Sequence, residues 1–347
     1  MPDQLDLGTV ALNSRIELNA RLLTSANLTP IELLHQKIDQ KLPAAIRSYW
    51  KQVDPQQFRG TNQSVELNLL QPKVRASQFL RVSQVTPRQE RLWYKGNPFL
   101  EVDFQLDTSR TGIFSGEIVG KLGRRRASFP VRYTVEDRSN LPRALVISPF
   151  AGDSTEHGTN FNTVVSVLSA ASVRTDYLRS LPVELDAYQL VLLADSPLVN
   201  VTSAQAAELR QLLSGGGRLI LACNYFYRGT VAGANRIAEG SGLVIVDDES
   251  LGKVQCSNIT VDELTRGVQL LQMHRASPIQ ASLAVAKPLV FGADGHCYAA
   301  VSRPVGGGEL IVLTQSLWWN WVNEALGKND NANFLRNLLS VGAGTSP

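Results

Sequence analysis

Leu190-Val191-Leu192-Leu193-Ala194 and Arg218-Leu219-Ile220-Leu221-Ala222, with residues 202–217 between them, decide the fold of the second half of this chain. Both runs are short and almost continuously apolar, the pattern of strands buried on both faces of a parallel sheet. Between them Thr202 reads as a helix N-cap with Gln205 three residues on, a capping box. Leu209, Leu212 and Leu213 give that helix one apolar face, and Gly215-Gly216-Gly217 stops it. Strand, amphipathic helix and strand then make a right-handed βαβ unit. Working outward, Ala144-Leu145-Val146-Ile147-Ser148 is another buried strand. A helix over about 160–172 follows, with Phe161, Val164, Val165 and Leu168 on one stripe, and then a strand at Arg174 to Leu178. Glu309 to Thr314 is a late strand. The expectation is a doubly wound, mostly parallel α/β domain over residues 143–347.

Upstream the period changes from helical to two. Phe99-Leu100-Glu101-Val102-Asp103-Phe104-Gln105-Leu106 alternates apolar and polar residues. Ile113 to Val119 and Ala127 to Val135 are further strands, with Gly120-Lys121-Leu122-Gly123 as the hairpin connection between them. This spacing predicts an all-β sandwich over residues 1–138, followed by a linker at 139–142. One insertion interrupts it at about 29–53. There Thr29-Pro30-Ile31-Glu32 starts a helix, Ile31, Leu34, Ile38 and Leu42 share a face, and Pro43 breaks the run.

At 347 residues the chain exceeds one ordinary core. No apolar run approaches the roughly 18 residues of a bilayer span, and Met1-Pro2-Asp3-Gln4 has neither a basic nor an apolar leader region, so the expected location is cytoplasmic. Cys223, Cys256 and Cys297 are isolated, which fits a reducing compartment and gives no metal-binding spacing. Up to Leu141 there are 20 basic and 14 acidic residues, so the first half could touch an acidic partner. The basic tip Arg124-Arg125-Arg126 has no interleaved aromatic residues, which argues against nucleic-acid binding.

Two resemblances rest on particular residues. Leu5 to Val10, Gly112-Ile113-Phe114-Ser115-Gly116 and Phe129 to Val135 resemble the immunoglobulin-like domains of the spindle- and cilia-associated type, which implies a spacer or docking surface. Asp186-Ala187-Tyr188-Gln189 leading into Leu190 to Asp195, then Gly215 to Leu221, Gly306-Gly307-Gly308 with Glu309 to Leu313, and Asp330 to Leu339 together resemble the class I glutamine amidotransferase-like superfamily. The likeness is greatest to its trehalose-utilisation and gliding or ABC-transport accessory branches. It implies a flavodoxin-like layout and a cysteine nucleophile lifted out of the sheet on a tight strand-to-helix turn.

Cys223 falls at that place, immediately after Leu219 to Ala222. The surroundings depart from the family pattern, in which glycine stands two residues before and two after; here Leu221 and Tyr225 do. A thiol of resting pKa near 8.5 also needs a base, and no histidine follows the late strand, where Gln315 and Ser316 stand. His274 and His296 lack an acidic residue two positions on. His157, with Glu156 and Asp153 nearby in sequence, is the remaining candidate partner for Cys223. In open α/β sheets the ligand crevice lies at the carboxy ends of the strands, which here carry Asp153, Asp195, Ser196, Asn224, Gln315 and Ser316. No cofactor and no metal is expected. Three functional readings stay open: a non-catalytic interaction or scaffold protein whose partner is another protein, a hydrolase or amide-processing enzyme using Cys223 with His157, and a small-ligand sensor using the crevice.

Overall fold

Alternating side chains sort the first half into two sheets. The computed structural model describes residues 5–23, 73–89, 98–122, 125–147, 152–153, 161–171, 173–194, 196–223, 229–247, 253–274, 276–304, 306–314 and 329–340. Strands β1 (Leu5–Ala11), β2 (Glu17–Leu23), β3 (Lys73–Ala76), β4 (Leu80–Gln89), β5 (Pro98–Leu106), β6 (Gly112–Leu122) and β7 (Arg125–Glu136) come first. One sheet has the order β1-β7-β6-β3 and the other contains β4-β5-β2. β1 runs parallel to β7, and the other pairs are antiparallel. Along β7, Phe129, Val131, Tyr133 and Val135 are buried while Arg126, Ser128 and Arg132 are exposed. The two buried faces meet: the Phe104 and Phe129 rings lie edge to face at 6.3 Å.

Pairing continues from Gly120↔Ala127 through Lys121↔Arg126 to Leu122↔Arg125, so residues 120–122 are strand, not the connection read from sequence. The physical reason is packing. A Cβ at Gly120 would lie 2.6 Å from Leu22 Cδ1 and 2.8 Å from Leu100 Cδ1, so this glycine makes room for the facing sheet. The helical insertion expected at about 29–53 lies outside the described residues.

The second half begins with β8 (Arg143–Ile147), β9 (Gly152–Asp153), α1 (Phe161–Ala170), β10 (Arg174–Leu178) and β11 (Leu190–Ala194), then a 3-10 turn (Ser196–Asn200), α2 (Ser203–Ser214), β12 (Arg218–Ala222) and α3 (Thr230–Ala238). It continues with β13 (Leu243–Ile245), β14 (Lys253–Cys256), β15 (Asn258–Ile259), β16 (Leu271–His274), β17 (Ile279–Ala281), β18 (Ala286–Phe291), β19 (Cys297–Ser302), β20 (Glu309–Leu313) and α4 (Asn331–Leu339). The large sheet has the order β10-β8-β11-β12-β20-β19-β17-β13, with β18 and β15 branching from β19. Its first five strands are parallel. From β19 onward the pairing is antiparallel, so the sheet is mixed where the sequence predicts a mostly parallel one. As a whole the protein is a mixed α/β structure, with its strands in several sheets and few helices.

Every residue of β11 is buried, and each such Leu or Val contributes roughly 1.5–3 kcal/mol. Ala144, Val146, Leu192, Ile220 and Ile311 share one apolar layer with Val164, Val165 and Leu168 of α1 and Phe334 and Leu338 of α4. Leu145, Leu193, Leu219, Leu221 and Val312 share the other with Leu209 of α2 and Ile237 of α3. Helices therefore cover both faces. The predicted capping box of α2 is present: Gln205 N–H donates to Thr202 Oγ1 at 3.2 Å and Thr202 N–H to Gln205 Oε1 at 3.0 Å.

The glycine triplets lie at the opposite end of the sheet from the crevice. A Cβ at Gly308 would overlap the Leu213 carbonyl oxygen, and Glu309 N–H donates to Gly217 O at 3.0 Å. The two runs interlock because only glycine permits that approach. Among the described residues no helix is long and apolar enough to cross a membrane.

The halves share a seam. Tyr177 N–H donates to Arg15 O and Arg15 N–H to Asp176 Oδ1, both at 2.9 Å. Thr9 N–H donates to Ser169 Oγ at 2.7 Å. β9 pairs in parallel with β2, Ala20 opposite Gly152 and Arg21 opposite Asp153. One continuous apolar layer runs from the sandwich into the face covered by α1.

Candidate functional site

Ile147, Leu178, Ala194, Ala222 and Leu313 close the five parallel strands along one edge, which their register holds in line. Cys223 stands one residue beyond. Its N–H donates to Leu313 O at 2.9 Å, and its Sγ–H donates to the same carbonyl at 3.4 Å. It is 1% exposed and packs in the layer of Leu219 and Leu221. That shared parity has a consequence: strand alternation carries on through position 223 and sends the sulfur toward α2 and α3. A nucleophile elbow instead breaks the alternation with a strained residue. Among the described residues Asn13 is the one non-glycine with left-handed φ, and Cys223 carries no such strain. Inside that apolar layer the sulfur packs against its neighbours, with its proton held by the Leu313 carbonyl.

Of the other crevice residues, His157, Asp195, Asn224, Gln315 and Ser316 lie outside the described residues. For Asp153 and Ser196 only the backbone path is described. Asp153 belongs to β9, the strand that joins the sandwich at β2, and Ser196 opens the 3-10 turn after β11. The sandwich thus meets the α/β half at β9, the strand that follows β8.

Sequence reasoning missed a group that antiparallel β19 brings to the same edge. Ala299 pairs with Leu313, so Tyr298 stands level with Thr314, whose N–H donates to Tyr298 O at 3.2 Å. Tyr298 OH donates to Asp294 Oδ2 at 2.5 Å, and His296 N–H to Asp294 Oδ1 at 3.1 Å. Asp294 thus holds the main-chain amide of His296, not its imidazole. Tyr298 packs in the layer of α1 and α4, across the sheet from Cys223. Burial raises the Cys256 thiol to about 12 and pushes Cys297 up as well, so both are neutral at physiological pH.

Asp330 to Leu339, one of the resembling stretches, fastens a loop. Asp330 Oδ2 accepts from Gln269 and Leu270 N–H at 2.7 and 2.9 Å. Asn331 takes Gln272 N–H and donates to Gln272 O, and Asn337 donates to Leu264 and Arg266 carbonyls at 3.2 and 2.8 Å. Among the described residues no three His, Cys, Asp or Glu side chains gather as a metal site. No protein-family model matches this chain, and no curated protein is significantly similar to it.

Proposed function

We propose that this chain is a non-catalytic interaction or scaffold protein, an immunoglobulin-like sandwich joined to a degenerate, doubly wound amidotransferase-like unit. The observation carrying it is the Cys223 sulfur, buried and donating to Leu313 O on the helix-covered face of the sheet. A cysteine serving acyl transfer needs an exposed thiolate beside oxyanion donors. The sandwich strand order supports the immunoglobulin-like part. Lettered in sequence from β2 as B, the sheets are D-E-B and G-F-C, the constant-type division, with the first strand added parallel to the last. Helices on both faces of five parallel strands support the amidotransferase-like part.

Iodoacetamide labelling of the folded protein between pH 6 and 9, read by peptide mass spectrometry, tests this. Cys223 is expected to react as slowly as buried Cys256 and Cys297. Labelling of Cys223 many times faster than these two, with a midpoint below the ordinary thiol pKa of about 8.5, overturns the reading in favour of a cysteine-dependent hydrolase.

A further inference from the structure

Lys73, Lys121 and Arg126 stand side by side across three strands of the sandwich, Lys73 opposite Lys121 and Lys121 opposite Arg126. All three are exposed, as is Arg75 two residues along β3. Adjacent strands are about 4.8 Å apart, and like charges directly opposite destabilise a sheet. Among the described residues none of these four side chains has an ion pair or hydrogen bond. Glu117, an acid on the same face, stands four residues down β6 from Lys121, roughly 13 Å along the strand, and two residues from Val119, the partner of Arg75, without pairing with it. The row is a concentration of positive charge that the described part of the fold leaves uncompensated.

Among the described residues the row lies at a sheet edge with no further strand, for β3 ends the order β1-β7-β6-β3. Ser77 N–H donates to Glu117 O at 3.2 Å. In an antiparallel ladder the bonded positions alternate, so Lys73 and Arg75 turn their backbone groups toward β6. Val74 and Ala76 turn theirs outward. A chain laid along that edge would place every second side chain beside Lys73 and Arg75, at a spacing of about 7 Å. We propose that β3 docks an extended segment of a partner protein carrying acidic residues at alternate positions. Main-chain pairing supplies the affinity and the cationic row the choice of partner. Among the described residues the exposed positions of this face, such as Ser115, Lys121, Arg126, Ser128 and Arg132, include no aromatic residue for stacking bases. This proposal rests on the scaffold reading above and gives it a partner.

Fluorescence anisotropy of the full chain with labelled peptides tests it, using a peptide of alternating Asp and Thr and one of the same composition with its acids in a block. The alternating peptide is expected to bind tighter, and more weakly as salt rises. Reversing Lys73→Glu with Arg75→Glu should weaken binding about tenfold, and Val74→Pro should weaken it with every charge intact. Should Val74→Pro unfold the chain by circular dichroism, the neutral pair Lys73→Gln with Arg75→Gln supplies the comparison. Equal binding of both peptides, indifference to the charge variants, or tighter binding of a single-stranded oligonucleotide or phosphatidylserine vesicles overturns the proposal. Slow Cys223 labelling beside a negative peptide result removes only this edge, whereas fast labelling removes the scaffold reading itself.

Discussion

Asp262 gathers more partners than any single carboxylate beside it. It accepts from Lys287 Nζ at 2.8 Å, from Arg303 at 2.9 and 3.2 Å, and from Leu264 N–H at 3.1 Å. The chain of charges goes on: Arg303 donates to Glu309 at 2.9 Å, Glu309 accepts from Arg218, and Arg218 reaches the Leu338 and Ser340 carbonyls at the end of α4. Burial raises the Asp262 pKa, but hydrogen bonds from Arg303, Lys287 and Leu264 outweigh it and hold the carboxyl at about 2, below its ordinary 3.8. A folded pKa below the unfolded one gives stability that is present above about pH 4 and lost as pH falls toward 2. Asp262→Asn is expected to cost about 1–2 kcal/mol at pH 7, allowing for solvent around its half-exposed cations. Urea melts from pH 7 down to 2 should show the variant and parent converging at the acid end. A constant gap between the two would refute the assignment.

At the scale of elements, α3 rests on the 3-10 turn through one missing side chain. A Cβ at Gly233 would overlap the Leu198 carbonyl oxygen, which is backbone and cannot rotate away. Gly233→Ala should therefore cost roughly 2–3 kcal/mol despite the better helix propensity of alanine, seen as a lowered Tm. An unchanged or raised Tm would show the turn giving way instead. The contrast with α2 explains what was legible in the sequence. Thr202 and Gln205 announce that helix within four residues, and the runs in β8, β11, β12 and β20 are continuous enough to stand alone. Strands β13 to β18 are two to six residues long, too short to show a period, and they exist because distant partners complete them. Gly120 looks like a turn until Leu22 and Leu100 are placed against it. At the candidate site the position of Cys223 was readable from the strand before it. The direction of its sulfur depends on the strand's parity against α2 and α3, and the Asp294–Tyr298 contact depends on a strand arriving from the opposite direction.

Across the whole molecule the two halves are welded by buried polar contacts. Asp176 is 1% exposed; its Oδ1 takes the Arg15 amide, and its Oδ2 takes Arg143 Nη2 at 2.7 Å and Tyr188 OH at 2.8 Å. Arg179 pairs with Asp103 across the same seam. Burial, reinforced by the Asp176 hydrogen bond, pushes the Tyr188 phenol up to about 12, so it remains a donor at any ordinary pH. Asp176→Ala would leave the Arg15 amide and a largely buried guanidinium without their acceptor, at a cost of about 3–5 kcal/mol. Because the apolar layer is shared as well, thermal melts followed by tryptophan fluorescence and by far-ultraviolet circular dichroism should coincide in one transition. Two resolved steps would refute that coupling.

The pairing of β2 with β9 has a further consequence during synthesis. Roughly 130 residues separate the two strands, and translation proceeds at about 5–20 residues per second, so one flank of β2 waits on the order of ten seconds for its neighbour to leave the ribosome. Over that interval the nascent chain presents unpaired backbone to its surroundings, a hazard for clumping that a holdase would relieve.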